Sequence, residues 1–204
     1  FFFKQKTAYE IVDCDWSSDV CSSDLGRERL LERLMARLTP QVKSEHIDVK
    51  IHFDKGELTI GGKRQKVVEE CKAKYLNFID DDDYIPPFYV EKIVEKLSKD
   101  PDGVGFRGII TSNNIKPVEF VHKAGHQYID KAVRASDAYL FYRPLNHLNP
   151  IRTSIVQQIG FQDWPTFSDR DFSIRLAESG LITDDIFIDE FMYFYQYRTK
   201  RVKV

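Results

Sequence analysis

Four consecutive aspartates, Asp80 to Asp83, directly follow the apolar run 75–79 and are the residues of this sequence best suited to chemistry. Carboxylates a few Å apart repel one another by about 1 kcal/mol per close pair at a protein surface. A divalent cation reverses this cost, and Mg²⁺ or Mn²⁺ sites commonly combine one or two carboxylates with substrate phosphates. Ligands of open α/β sheets also gather at the carboxyl ends of strands. The alternative is a solvated turn, with Asp83 near the N-terminus of a helix that Pro86 and Pro87 open.

Two basic residues, Lys63 and Arg64, stand where a predicted helix begins after Gly61 and Gly62. Cations beside a helix N-terminus make a favourable place for phosphate oxygens. The alternative is a solvated first turn, because helices often carry basic residues for solubility. The sequence leaves both interpretations open.

The first 25 residues are predicted to be foreign to the domain. The stretches 4–11 (KQKTAYEI) and 15–25 (DWSSDVCSSDL) resemble the two constant parts of a translated sequencing adapter, with 12–14 in its variable index. Such artefacts are excluded from fold reasoning, as tags and fusion scars are. An unusual natural N-terminus is the alternative. The domain proper is then 26–204, and its true start is expected to be missing.

Composition excludes several classes of protein once that segment is set aside. The 204 residues include 30 Lys and Arg and 32 Asp and Glu. Residues 1–25 hold two of the basic and five of the acidic residues, so 28 basic and 27 acidic residues remain. This balance argues against a nucleic-acid binder. Cys71 is then the single cysteine, which excludes an intramolecular disulfide and fits a reducing cytosol. With no signal-peptide core or transmembrane segment apparent, we expect a cytoplasmic protein, or one at the membrane periphery.

Hydrophobic periodicity alternates between helix and strand along residues 26–204, which predicts an α/β fold. The strand, helix, strand unit that ends at 79 is most simply parallel. Asn149 and Pro150 are predicted to be the N-cap and first residue of a helix that ends at Gly160. The other predicted helices are 30–38, one that begins at Gly61, 87–97 and 168–180, and the predicted strands are 47–53, 75–79, 104–111 and 191–197.

Residues 26–204 resemble a glycosyltransferase of family 2 with the GT-A fold, a Rossmann-like, mostly parallel sheet flanked by helices. The matching features, in the family's order, are the strand ending at Asp54, the segment 60–64 (IGGKR), the strand into the aspartate run, and the segment 168–172 (SDRDF). The resemblance implies transfer of a sugar from a nucleoside diphosphate sugar, with a UDP-sugar favoured. The acceptor would be a hydroxyl of a glycan, protein or small molecule. The family also implies inversion at the anomeric carbon and assistance by Mn²⁺ or Mg²⁺.

The resemblance also assigns roles to individual residues. Asp80, Asp81 and Asp82 match the family's DxD motif, although the fourth aspartate leaves the register open by one. Asp82 would bind the metal, Asp80 the ribose or a metal-bound water, and Asp54 the nucleotide base or ribose unless it is an ordinary turn aspartate. The nucleotide-sugar-binding residues are expected to be Asp54, Lys63, Arg64, Asp80 and Asp81, and the metal ligands Asp80 and Asp82.

The general base implied by the resemblance is Asp169, at the start of a late helix. The family usually has Glu before this aspartate, where the present chain has Ser168. Ser168 and Asp171 also fit a capping box, so the alternative is that both residues serve only to start the helix. Trp164 is a candidate platform for the acceptor sugar, although core packing is the commoner use of a lone Trp. His122, His126 and His147 are expected to be surface or hydrogen-bonded histidines.

The first strand of the family is expected to be missing, replaced by the adapter-like peptide. Loss of a central strand exposes sheet edges and part of the nucleotide pocket, and could leave this truncated chain inactive. Two other functions remain open on sequence grounds. One is a non-catalytic carbohydrate-binding or assembly protein that retains the fold, and the other is an acidic module that binds divalent cations without a nucleotide.

Overall fold

The structure is a computed structural model, and it describes residues 16–22, 28–44, 46–53, 57–112, 115–129, 132–135 and 138–197. The strands are β1 (Trp16–Ser22), β2 (Ile47–Phe53), β3 (Tyr75–Asp80), β4 (Gly103–Ser112), β5 (Ile115–His122), β6 (Val133–Ala135), β7 (Ala138–Arg143), β8 (Ile151–Arg152) and β9 (Asp185–Tyr197). The helices are α1 (Glu28–Leu38), α2 (Ile60–Glu70), α3 (Tyr89–Leu97), α4 (Thr153–Ile159) and α5 (Ser168–Ser179), with a 3₁₀ turn over Thr39–Gln41. These elements form one mixed sheet with helices on both faces.

Strand β3 lies in the middle of the hydrophobic core, which explains its apolar run. Tyr75 and Ile79 pack in one cluster with residues of α1 and α3. Leu76 and Phe78 point to the opposite face and pack in a second cluster with residues of α2, α4 and α5. A strand covered on both faces reads as a continuous apolar run. The predicted α/β class is therefore confirmed, and the aspartate run begins where this buried strand ends.

The sheet order is β2-β1-β3-β8-β4-β5-β7-β6, with β9 also paired to β4. Strand β1 is parallel to both β2 and β3, and its Val20 lies opposite Ile51 on one side and Ile79 on the other. Strands β2 and β3 therefore run in the same direction, as predicted for the strand, helix, strand unit.

Strand β1 is where the structure departs from expectation. The adapter-like segment was expected to lie outside the fold and to leave the first strand missing, yet Trp16–Ser22 occupies the place of a strand between β2 and β3. Ladder hydrogen bonds use only backbone groups, so two open parallel edges can accept a strand whatever its side chains. That residues 1–25 derive from an adapter stays a prediction.

The predicted helix start at Asn149 is wrong. Helix α4 begins at Thr153, after the two-residue strand β8. The side chain of Asn149 instead closes a buried turn, since its Oδ1 accepts a hydrogen bond from the Asn146 N–H at 3.0 Å and its Nδ2 donates to the Val104 carbonyl at 3.0 Å. An Asn-Pro pair suits such a turn as well as it suits a helix start.

Candidate active site

The four aspartates differ in environment, and Asp83 is the structural member of the run. Its side chain is fully buried and accepts hydrogen bonds from the Tyr193 hydroxyl and from the Gln196 N–H, each at 2.8 Å. Burial, together with the charges of Asp80 and Asp82, raises the pKa of Asp83. Because both carboxylate oxygens are used to bind β9, Asp83 fastens the run to the sheet. Asp83 was predicted to lie near the start of a helix, but its side chain bonds strand β9.

Arg64 connects the three elements that carry predicted site residues. Its guanidinium donates from Nη1 to the Ser168 hydroxyl at 3.0 Å, and its Nη2 lies 3.4 Å from Oδ1 of Asp80. Helix α2, strand β3 and helix α5 thus meet at one buried side chain, since Arg64 is 5% exposed. Lys63 is buried as well. The alternative of a solvated first turn is therefore wrong for both cations.

The start of α2 is held against the loop that precedes α5. Thr59 is the N-cap and accepts from the Gly62 N–H at 2.9 Å, and its hydroxyl also bonds the carboxylate of Asp163. The Gly61 N–H donates to the Trp164 carbonyl at 3.1 Å. A Cβ at Gly61 would lie 1.9 Å from the Gln162 carbonyl oxygen, so only glycine permits this close approach. The two glycines of the segment serve the packing of the site.

Asp80 carries the negative charge closest to these cations. Burial alone would raise the pKa of Asp80, but the nearness of His147 and Arg64 outweighs it, so the pKa lies below its usual range. Burial and the nearby charge of Arg64 lower the pKa of His147. Arg64 supplies a permanent positive charge beside the Asp80 carboxylate.

Asp169 lies in the first turn of α5, next to the Ser168 that binds Arg64. Burial raises the pKa of Tyr195 in β9, and the charges of Asp83, Asp80 and Asp169 add to this effect in that order. The capping box is wrong, because the N-cap is Phe167 and no side chain caps the helix. Asp171 instead pairs with Arg175 at 2.6 Å.

The loop before α5 presents two aromatic side chains to solvent. Trp164 is 49% exposed and Phe167 is 67% exposed, so the core-packing interpretation of Trp164 is wrong. Phe167 has a φ of 63°, a left-handed conformation that costs a bulky residue free energy. These rings flank the helix start that carries Asp169.

The histidines divide into two kinds. His122 is buried and hydrogen-bonded through Nδ1 to Oδ1 of Asn149 at 3.0 Å, as expected, and burial followed by the charge of Arg143 lowers its pKa to about 3. His147 is also buried, yet neither of its ring nitrogens has a hydrogen-bond partner among the described residues. The expectation of an ordinary histidine is wrong for His147.

The described residues contain no preformed group of three His, Cys, Asp or Glu side chains that could hold a metal. The chemistry of the donor set nonetheless fits Mg²⁺ or Mn²⁺, because the run offers hard carboxylate oxygens and such sites take further ligands from phosphates and water. Asp80 and Asp82 retain partial exposure, whereas both oxygens of Asp83 are used within the fold. Asp54 lies outside the described residues.

A model of the family described as Glycosyl transferase family 2 matches residues 31–160, well over half of the chain. The chain belongs to glycosyl transferase family 2. Its fold is similar to that of S. aureus TarS 1-349, with a TM-score of 0.63 at 14% identity over 89% of this chain and 60% of that one. The structure of TarS 1-349 in complex with UDP-GlcNAc matches with a TM-score of 0.63 at 13% identity, over 91% of this chain and 59% of that one. A complex with UDP matches at 0.61 and 13% identity, over 89% and 60% of the two chains.

This family 2 glycosyltransferase spans about 60% of the length of the TarS chain it matches. No curated protein matches it in sequence. None of the helices among the described residues is long and apolar enough to cross a membrane.

Two contacts of the candidate site could not be predicted from the sequence. Arg33 in α1 donates from Nη2 to the Asp82 carbonyl at 2.8 Å, and its guanidinium carbon lies 4.0 Å from the centre of the Tyr84 ring. His147 lies 3.5 Å from Asp80. Neither residue belongs to a local pattern that indicates chemistry, because Arg33 is on the polar side of an amphipathic helix and His147 is isolated in the sequence.

A groove of about 620 Å³ between α1 and α3 lies away from this site. Apolar residues such as Ile47, Ile85 and Val94 line it together with the charged residues Arg37 and Glu91. It contains none of the predicted site residues, so the carboxyl end of β3 remains the candidate site.

Proposed function

We propose that this glycosyltransferase transfers a sugar from a nucleoside diphosphate sugar, with a UDP-sugar favoured, to an acceptor hydroxyl with inversion and with the assistance of a metal. The acceptor would be a glycan, protein or small molecule, and the reaction would take place in the cytoplasm as part of polysaccharide or glycoconjugate synthesis. Family membership supports sugar transfer. The similar TarS structures in complex with UDP-GlcNAc and with UDP support a uridine nucleotide.

The observation that carries the proposal is the junction at Arg64. One buried guanidinium contacts the Asp80 carboxylate and the hydroxyl of Ser168, whose neighbour is Asp169. The predicted donor residues at the end of β3 and the predicted base on α5 are thereby brought to the same region. A purely structural acidic turn does not require this convergence.

In the proposed reaction the acceptor oxygen attacks the anomeric carbon from the face opposite the leaving group. The bond from that carbon to the diphosphate oxygen breaks, and the nucleoside diphosphate leaves with the electron pair. A carboxylate oxygen of Asp169 takes the proton of the acceptor hydroxyl. A single displacement of this kind inverts the anomeric carbon.

The donor side of the proposed site uses Asp80, Asp81 and Asp82, together with Arg64, Lys63 and Asp54. Asp82 and Asp80 would hold Mn²⁺ or Mg²⁺, which would neutralise charge on the departing diphosphate when bound. Arg64 holds Asp80 in one orientation and contributes a positive charge at the start of α2. Lys63 would add a second positive charge there.

A second function, a non-catalytic carbohydrate-binding protein that keeps the fold, is favoured by one observation. The residue before Asp169 is a serine whose hydroxyl is used to bind Arg64, in place of the glutamate usual in the family. Such a protein would bind sugars without turning over a donor.

Turnover separates the two functions. The full chain is incubated with a panel of UDP-sugars and Mn²⁺, and release of UDP to water or acceptor is measured. We expect release to fall about 10²- to 10⁴-fold in Asp169→Asn, the range for loss of a general base. Asp171→Asn is the matched control, since its carboxylate pairs with Arg175 in the same helix. Equal release of UDP by Asp169→Asn and the parent would contradict the enzymatic proposal. So would a chain that binds saccharides but releases no UDP from any donor.

A further inference from the structure

His147 is a buried polar side chain whose ring nitrogens have no hydrogen-bond partner among the described residues. It is 6% exposed, and Nδ1 and Nε2 both lack a partner there. Its closest charged group is Oδ2 of Asp80, 3.5 Å from Nε2, which is longer than an ordinary N–H···O bond. An unsatisfied buried polar group costs about 1–3 kcal/mol, so such a group requires a reason.

The turn that carries His147 is rigid. The His147 carbonyl accepts from the Phe78 N–H at 2.8 Å, which ties the residue to β3 two positions before Asp80. The Leu148 N–H donates to Oδ1 of Asn146 at 3.0 Å, and the Asn149 N–H donates to the Asn146 carbonyl at 3.0 Å. The imidazole therefore has a fixed place beside Asp80.

The two oxygens of Asp80 face different neighbours. Oδ1 lies 3.4 Å from Arg64 and Oδ2 lies 3.5 Å from His147, so both contacts are near the upper limit for hydrogen bonds. The Asp80 side chain is 23% exposed and follows the last residue of the buried apolar run, so it can be reached by a ligand while it keeps both contacts.

We propose that His147 is a positioning residue of the nucleotide site. When a nucleoside diphosphate and metal bind, its Nε2–H donates to Oδ2 of Asp80, while Arg64 holds Oδ1. The two donors fix the carboxylate in the orientation in which it meets the nucleotide. This inference rests on the proposed function, because it assumes that Asp80 contacts the donor.

Two substitutions at His147 distinguish a role as a hydrogen-bond donor from a role in packing. Phenylalanine keeps the ring volume and removes both nitrogens. The amide nitrogen of glutamine can take the place of Nε2 and restore the donor. His126→Phe is the matched control, because His126 is a half-buried histidine whose ring packs edge-on against Tyr142 at 5.2 Å.

The experiment titrates UDP with Mn²⁺ into the full chain by calorimetry, and the melting temperature of each variant is recorded without nucleotide. His147→Phe is expected to weaken binding about tenfold, equivalent to about 1.4 kcal/mol, with His147→Gln within about threefold of the parent. His126→Phe should bind as the parent does. If His147→Phe and the parent bind with equal affinity, this inference is overturned while the proposed function stands. Binding by folded His147→Gln as weak as that of His147→Phe would have the same consequence.

A second measurement on the free protein is independent of that titration. Long-range ¹H–¹⁵N spectra report which imidazole nitrogen carries the proton, and the proposal requires the Nε2–H tautomer at His147. A proton on Nδ1 would overturn the inference even if the nucleotide binds. Failure of the parent to bind any nucleoside diphosphate would overturn the proposed function, and this inference with it.

Discussion

At the scale of single residues, the aspartate run is arranged by contacts to its backbone as well as to its side chains. Arg33 donates from Nη2 to the Asp82 carbonyl, and its Nη1 donates to the Tyr84 hydroxyl at 2.7 Å. A hydrogen bond from a charged donor to a carbonyl is stronger than a neutral one. Arg33 therefore restricts the orientation of the peptide from which the proposed metal ligand projects.

Replacement of Arg33 by alanine is expected to weaken binding of UDP with Mn²⁺ about fivefold, because loss of one such bond is worth about 1 kcal/mol. Arg37→Ala is the control, since Arg37 is exposed and its guanidinium lies farther from the Tyr84 ring, at 5.3 Å. Calorimetry well below the melting temperature makes the comparison. An unchanged affinity in Arg33→Ala would show that the aspartate run keeps its shape without this contact.

The sequence could predict the acidic residues but not their partners. Four adjacent carboxylates are visible as a charge pattern, and their different roles follow from tertiary contacts such as those of Asp83 with β9. The position of Arg64 at a helix start was visible in the sequence. Its hydrogen bond to Ser168 was not, because the two residues are 104 positions apart. His147 and Arg33 could not be found in this way, because only the folded chain brings them to the aspartate run.

At the scale of elements, Asp102 joins the start of β4 to the segment that leads into β9. Its Oδ2 accepts hydrogen bonds from the N–H and the hydroxyl of Thr183, each at 2.9 Å, and from the Asp184 N–H at 3.0 Å. Burial raises the pKa of Asp102, but these bonds and Arg152 outweigh it, so the pKa is lower than usual. These bonds align the two parallel strands whose far ends lie beside the aspartate run.

A depressed pKa in the folded state means that Asp102 stabilises the protein above the unfolded pKa, near 4, and that this contribution is lost as the pH falls towards the folded value. Asp102→Asn should lower the free energy of unfolding by about 1–2 kcal/mol at pH 7. The difference between parent and variant should shrink below about pH 4. Urea denaturation at neutral and acidic pH measures both quantities. A difference that does not change with pH would contradict the assignment.

Local periodicity predicted most elements because their buried faces are regular. The apolar positions of α1, the doubly covered β3 and the Gly180 that ends α5 in a left-handed conformation are all local signals. Helix α4 was placed too early because Asn149 and Pro150 favour turns and helix starts equally. Strand β9 begins at Asp185, before the predicted start at 191, and it changes register against β4 between Ile188 and Tyr193.

At the scale of the whole molecule, the sheet depends on a strand between β2 and β3. Residues 16–22 fill that place in parallel pairing on both sides. Without them two strand edges next to the aspartate run would be open. The stability of the domain should therefore depend on the backbone of this segment.

Proline at Val20 tests that dependence. It removes an N–H from a strand paired on both sides and should destabilise the protein by about 3 kcal/mol or more. Val20→Ala keeps the backbone donor and is the matched control. Thermal unfolding of the two variants makes the comparison. Equal melting temperatures would show that residues 16–22 contribute nothing to the sheet.

The central claim is that the carboxyl end of β3 is a metal-dependent nucleoside diphosphate site. The most direct test is calorimetric titration of UDP, with and without Mn²⁺, into the full chain and into Asp82→Ala. We predict binding that requires Mn²⁺ in the parent and is lost in Asp82→Ala, while Asp184→Ala, at an exposed aspartate just before β9, binds normally. UDP binding that depends on neither Mn²⁺ nor Asp82 would contradict the claim. The claim would also fail if the folded parent bound no nucleoside diphosphate.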